Sequence, residues 1–121
     1  MATLNQVQLI GYVGHIEKYG EGQLCIRLSL RTNKFYTELN PNPAPIWHQV
    51  VVFNKLAEKL LARMNTHALK KGSLLFIQGR LDYVTIVPND HANKNAQIVA
   101  DKIQFLDRQS LLIAKDILDS M

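Results

Sequence analysis

Ile46-Trp47-His48-Gln49-Val50-Val51-Val52-Phe53-Asn54 runs directly into Lys55-Leu56-Ala57-Glu58-Lys59-Leu60-Leu61-Ala62-Arg63-Met64. The first half is rich in β-branched and aromatic residues and predicts a strand. The second half changes period. Leu56, Leu60, Leu61 and Met64 share one face of a helix, while Lys55, Glu58, Lys59 and Arg63 lie largely opposite, as solvated residues would. Asn54 suits the N-cap of that helix. The helix is expected over residues 55–68, with Lys71-Gly72 closing the segment.

Working outward, the upstream chain reads as two more strands. Residues 23–32 alternate most cleanly: Leu24, Ile26, Leu28 and Leu30 on one face, Cys25, Arg27, Ser29 and Arg31 on the other. Residues 5–14 alternate Val7 and Leu9 with Gln6 and Gln8, and Gly11 and Gly14 suggest a bulge or sharp bend. Tyr19-Gly20-Glu21-Gly22 marks a turn. Residues 33–45 read as a long loop, because Asn40-Pro41-Asn42-Pro43-Ala44-Pro45 lacks the N–H groups of a central strand. Downstream, residues 73–81 predict a fourth strand that can extend through Ile86, with Phe76 as a core residue. Residues 96–106 predict a fifth, with Ile98 and Ile103 in the core. Residues 109–119 have a helical pattern. The order β-β-β-α-β-β is that of a five-stranded OB-fold barrel, here with a short C-terminal helix.

The chain has 121 residues, 47% apolar and 20% charged, which is one globular domain and not a disordered segment. No apolar run approaches the roughly 18–20 residues of a membrane span, so no membrane partner is expected. The first residues lack a basic region followed by an apolar one, so no secretory signal is expected. Cytoplasmic, nucleoid-associated residence fits, and a mature organellar protein would look the same. The single cysteine, Cys25, lies in an apolar run and reads as a small buried hydrophobe.

The net charge of +4 is unevenly spread: residues 1–80 carry +6 and residues 81–121 carry −2. A basic field favours polyanions. Catalytic chemistry finds no support. His15, His48, His67 and His91 show no helical ligand spacing and no cysteine pair, so neither a zinc site nor any other metal or cofactor is expected. The serines lack a nucleophile-elbow context. Glu17, Glu21 and Glu38 read as solvated turn or loop residues.

Aromatics interleaved with cations are what remain. Single strands are held by stacking bases on aromatic faces while cations meet phosphates. Tyr36 follows Arg31 and Lys34; Trp47 and Phe53 lie near His48 and Lys55; Tyr83 follows Arg80. Trp47 is the favoured stacking residue. Phe53 fits the core as well as it fits stacking, and Tyr12 and Tyr19 fit ordinary surface positions. Arg31, Lys34, Lys55 and Arg80 are the expected phosphate contacts.

Trp47-His48-Gln49-Val50-Val51-Val52-Phe53-Asn54-Lys55-Leu56-Ala57-Glu58 resembles the W-H-x-V-V-x-F-x-K-L-A-E segment of the bacterial-type single-stranded DNA-binding protein family. Residues 5–14 resemble that family's N-x-V-x-L-x-G-x-[LV]-G opening. Leu69-Lys70-Lys71-Gly72-Ser73, followed by Gly79-Arg80-Leu81, resembles its L-x-K-G-x…G-x-L segment. Residues 100–106 resemble its last strand, so the likeness spans about residues 5–107.

The resemblance implies an OB fold over residues 1–107, non-enzymatic binding of single-stranded DNA in replication, recombination or repair, and a homo-oligomer, tetramer favoured over dimer. It implies base stacking by Trp47 and Phe53. Tyr36 stands where a third family aromatic is expected, and a fourth position, near Ile86, holds no aromatic here. Family members typically continue into a flexible linker and an acidic tip. Here Leu118-Asp119-Ser120-Met121 stands instead, after a helical tail at residues 108–121 expected to pack on the barrel or on a neighbouring subunit. Replication or repair partners would then be reached without the tip. Two other readings fit a short chain of this kind: an accessory protein like primosomal replication protein B, or an OB-fold interaction module that has lost DNA binding.

Overall fold

Ile26, Leu28 and Leu30 are almost wholly buried, while Cys25, Arg27, Ser29 and Arg31 between them are not. That alternation belongs to a strand with one face in a core. It runs through β2 (Cys25–Asn33). The computed structural model describes residues 2–20, 23–33, 39, 44–85 and 94–106. β2 pairs antiparallel with β1 (Val7–Tyr19) on one side and with β3 (Pro45–Phe53) on the other. Helix α1 (Asn54–Asn65) follows, then β4 (Leu74–Thr85) and β5 (Lys94–Phe105). The strand order is β1-β2-β3-β5-β4, and pairing of β4 with β1 closes the barrel. β3 and β5 meet in parallel at Val50↔Ile98 and Val51↔Val99. This is the five-stranded OB-fold barrel with its helix between β3 and β4. The tail at residues 108–121 lies outside the described residues.

The core is filled from every strand: Val13, Ile26, Leu28, Leu30, Val50, Val52, Leu75, Ile77 and Ile98. α1 adds Ala57 and Leu60, with Leu56, Leu61 and Met64 packed at its margin, so the helical face predicted from the sequence is the buried one. Each large aliphatic side chain taken fully out of water contributes about 1.5–3 kcal/mol. Arg63, expected to be merely solvated, sets its guanidinium over the Phe105 ring, 4.8 Å from the centroid.

Several local features depart from the sequence expectation. β1 continues past Gly14 to Tyr19 because its register shifts between Val13 and Ile16. The bulge changes which alternate residues point inward: Val7, Leu9 and Val13 before it, Ile16 after it. Pro45 is the first residue of β3 and not part of a loop, a place where a missing N–H is tolerated. Phe53, not Asn54, is the N-cap residue of α1, and it makes no side-chain cap bond. Asn54 has φ 58°, and its side-chain oxygen accepts a bond from Gln23 Nε2 at 2.9 Å. Phe76 is half-buried and paired with Ile10 on the outside of the barrel, because its neighbours Leu75 and Ile77 take the inward positions.

One long-range clasp fixes the β4–β5 hairpin. The Asn5 side chain donates to the Leu81 carbonyl at 2.7 Å and accepts from the Leu81 N–H at 2.9 Å. A single amide thus satisfies both backbone groups of one residue where β4 leaves the barrel.

Candidate nucleic-acid interface

With Ile26, Leu28 and Leu30 of β2 and Val50 and Val52 of β3 turned inward, the residues between them form the outer face. Cross-strand register sorts that face into rows. Tyr12 lies opposite Arg31, and Arg31 opposite Trp47. Ser29 lies opposite Gln49. Glu17, Arg27, Val51, Val99 and Arg80 form one line across all five strands. Tyr19, Cys25 and Phe53 form the last. Four aromatics, Tyr12, Tyr19, Trp47 and Phe53, therefore stand at the two ends of a strip with arginines among them. Trp47 is 55% exposed and Phe53 39%. Phe53 is accordingly a surface aromatic and not a core residue.

Two arginine–tyrosine pairs organise the cations. The Arg31 guanidinium lies 5.3 Å from the centroid of the Tyr12 ring, and that of Arg27 lies 4.9 Å from the centroid of the Tyr19 ring. Cation–π contact holds each planar group while leaving its N–H fork free of carboxylate. Among the described residues neither Arg27 nor Arg31 forms an ion pair. Arg80 does, with Asp101 at 3.4 Å. Both partners are more than half exposed, so the pair is weak and competes little with a phosphate.

Trp47 depends on a glycine two strands away. A Cβ at Gly14 would sit 2.9 Å from Cη2 of the Trp47 ring and 2.8 Å from the Ser29 hydroxyl. Only a residue without a side chain lets the indole extend over β2 to β1. The Ser29 hydroxyl accepts from the His15 N–H at 2.8 Å, which anchors the β1 bulge at this point.

A depression of about 330 Å³ opens beside the indole, lined by His15, Glu17, Arg27, Ser29, Trp47 and Gln49 among others. On its β1 side Glu17 accepts from the Tyr19 hydroxyl and lies 2.6 Å from His15 Nε2. Those two hydrogen bonds, Tyr19's first, hold the Glu17 carboxyl below its ordinary pKa, and the same bond raises that of Tyr19.

The structure brings together Trp47, Phe53 and Arg31 of the residues singled out from sequence, on paired strands β2 and β3. Arg80 lies further round the barrel, on β4 opposite Val99 of β5. His48, next to Trp47, also lines that depression. It is half-buried and paired with Leu30, and its Nε2 lies 2.8 Å from the Thr32 hydroxyl. Burial lowers its pKa. Tyr83, 58% exposed, shares a strand face with Leu81 and lies opposite Ala96, whereas Arg80 is on the other face of β4. Lys55 is exposed in the first turn of α1. Lys34 and Tyr36 lie outside the described residues, as does Ile86. Cys25 is half-buried between Tyr19 and Phe53, not in the core. Sequence reasoning passed over Tyr12, Glu17, Tyr19 and Arg27. The visible signal for Arg27 was its alternation with Arg31; the tyrosines needed the bulge. Among the described residues no group of three or more His, Cys, Asp or Glu could hold a metal ion.

An OB barrel with exposed aromatics and guanidinium groups in rows across its β1-β2-β3 face defines a class: proteins built to lay a single strand over a sheet. The chain belongs to the single-strand binding protein family, whose model matches residues 4–106. It is 29% identical over 116 residues to the mitochondrial single-stranded DNA-binding protein of Danio rerio, covering 86% of this chain and 77% of that protein. It is 33% identical over 109 residues to the single-stranded DNA-binding protein of Xanthomonas campestris, covering 85% of this chain and 60% of that one. Among solved structures it resembles the Plasmodium falciparum SSB complex with ssDNA, with a TM-score of 0.66 and 26% identity. That likeness covers 88% of this chain and 98% of the other.

Proposed function

We propose that the chain binds single-stranded DNA, largely without regard to sequence, as a non-enzymatic protein of replication, recombination or repair. The observation that carries this is the pair of rows Tyr12–Arg31–Trp47 and Tyr19–Cys25–Phe53 on one exposed face. Bases stack on Trp47 and Phe53, with Tyr36 as a further platform. Arg27, Arg31, Lys34, Lys55 and Arg80 meet phosphates. Stacking accepts any base because every base has a π face, and it is worth about 1–3 kcal/mol per base.

The working form is a homo-oligomer, a tetramer by preference. Ile10, Leu74 and Phe76 form a half-buried apolar cluster on the outer side of β1 and β4, adjoining the Tyr12 end of one aromatic row, and it suits contact with a second copy. Similarity to bacterial and mitochondrial relatives supports a working compartment that is either a bacterial cytoplasm or an organelle.

A gel-shift series with single-stranded and duplex oligonucleotides of one length tests the reading. Single strand shifts at far lower protein concentration than duplex, and its log affinity falls with log salt by about 0.7 per phosphate neutralised. Equal affinity for duplex would overturn it.

A further inference from the structure

Glu17 is an acidic residue on the outer face of β1–β3, where phosphate binding does not call for one. Glu17 faces Arg27 across the β1–β2 ladder and lines the same depression as Trp47, with Ser29 and Gln49 also in its lining. The indole reaches over Ser29 toward Gly14, and the depression of about 330 Å³ left beside it, with Glu17 on its rim, has room for one nucleobase. The carboxylate is fixed in place by His15 and Tyr19. An ionised carboxylate has about four acceptor positions, and the Glu17 side chain remains 41% exposed. It keeps acceptor capacity toward the depression.

We propose that Glu17 accepts a hydrogen bond from the exocyclic amino group of one base seated beside Trp47, so that this position prefers cytosine or adenine to thymine or uracil. The inference rests on the single-strand-binding reading of this face. Bases splayed onto aromatic side chains expose their hydrogen-bonding edges. Cytosine presents N4–H₂, a donor that carboxylates accept from; thymine presents O4, an acceptor, in the same place. Ser29 and Gln49 can each donate or accept and so do not discriminate. Arg27, a donor, is laid over the Tyr19 ring and serves phosphate. Glu17 has fixed acceptor polarity, and it supplies the discrimination. The groove is therefore tolerant along most of its track and selective at one nucleotide.

The test compares oligo-dC with oligo-dU of one length at one salt concentration, in the full chain and in Glu17→Gln, with binding read from Trp47 fluorescence. The two strands share backbone charge and ring size. The native chain binds oligo-dC about three- to tenfold more tightly. Glu17→Gln brings the two within about twofold, because an amide offers a donor to O4 as readily as an acceptor to N4–H₂. A ratio that the substitution leaves unchanged, or affinities that rise equally for both strands, would overturn the role of Glu17 and leave single-strand binding standing. Failure of the native chain to bind either strand would overturn both.

Discussion

The indole of Trp47 occupies the space that a side chain at Gly14 would need, so a residue on β3 and a residue on β1 are fitted to each other across β2. The shape of the proposed stacking face is thus set partly by a glycine. Gly14→Ala displaces the ring, since its Cβ would meet both the indole and the Ser29 hydroxyl. The expected result is a loss of single-strand affinity approaching that of Trp47→Ala, about 1–3 kcal/mol, with an unchanged circular-dichroism spectrum. Native affinity in Gly14→Ala would show that the ring position is not what binds.

Arg27 and Arg31 are held on tyrosines rather than on carboxylates, which under the proposed function leaves them open to phosphate. Arg27→Ala and Arg31→Ala should each lower the slope of log affinity against log salt by about 0.7. Tyr12→Leu and Tyr19→Leu should weaken binding less and leave that slope unchanged, because the cation is retained. Salt titrations of the four variants separate the two roles.

His48 makes stability depend on pH. Burial holds its folded pKa below the ordinary 6.5. The unfolded chain therefore takes up the proton first as the pH falls. The stability this group contributes is full above that value and is lost as the pH drops through it. Denaturant unfolding at about pH 7.5 and about pH 5.5 should show a lower midpoint in acid. His48→Gln keeps a polar group for Thr32 and should narrow the difference; an equally large difference in the variant would assign it to other groups.

Much of the fold was legible in the sequence because it rests on alternation. Ile26, Leu28 and Leu30 announce β2, and Leu56, Leu60 and Met64 announce α1. The ends were less legible, because a bulge is a tertiary event: Gly11 and Gly14 hint at it, but only pairing with β2 sets the shift between Val13 and Ile16. The same shift hid half of the candidate site. Before it, Tyr12 points outward at an even position; after it, Glu17 and Tyr19 do so at odd ones. Simple alternation puts these residues on opposite faces, so the rows they complete with Arg31 and Arg27 were invisible. His48 is half-buried and paired with Leu30, yet it lines the depression beside Trp47, a placement that strand alternation alone does not give. Trp47 itself was found correctly as an exposed aromatic.

Trp47 is the chain's single tryptophan, so its emission reports the proposed stacking face without ambiguity. The most direct measurement of single-strand stacking is a fluorescence titration with oligo-dT, repeated with duplex DNA and at two salt concentrations. Strong quenching by the single strand, little response to duplex and weaker affinity at higher salt are the expected results. Unquenched emission while the strand nonetheless shifts on a native gel would remove Trp47 from the site; no quenching and no shift would contradict single-strand binding altogether.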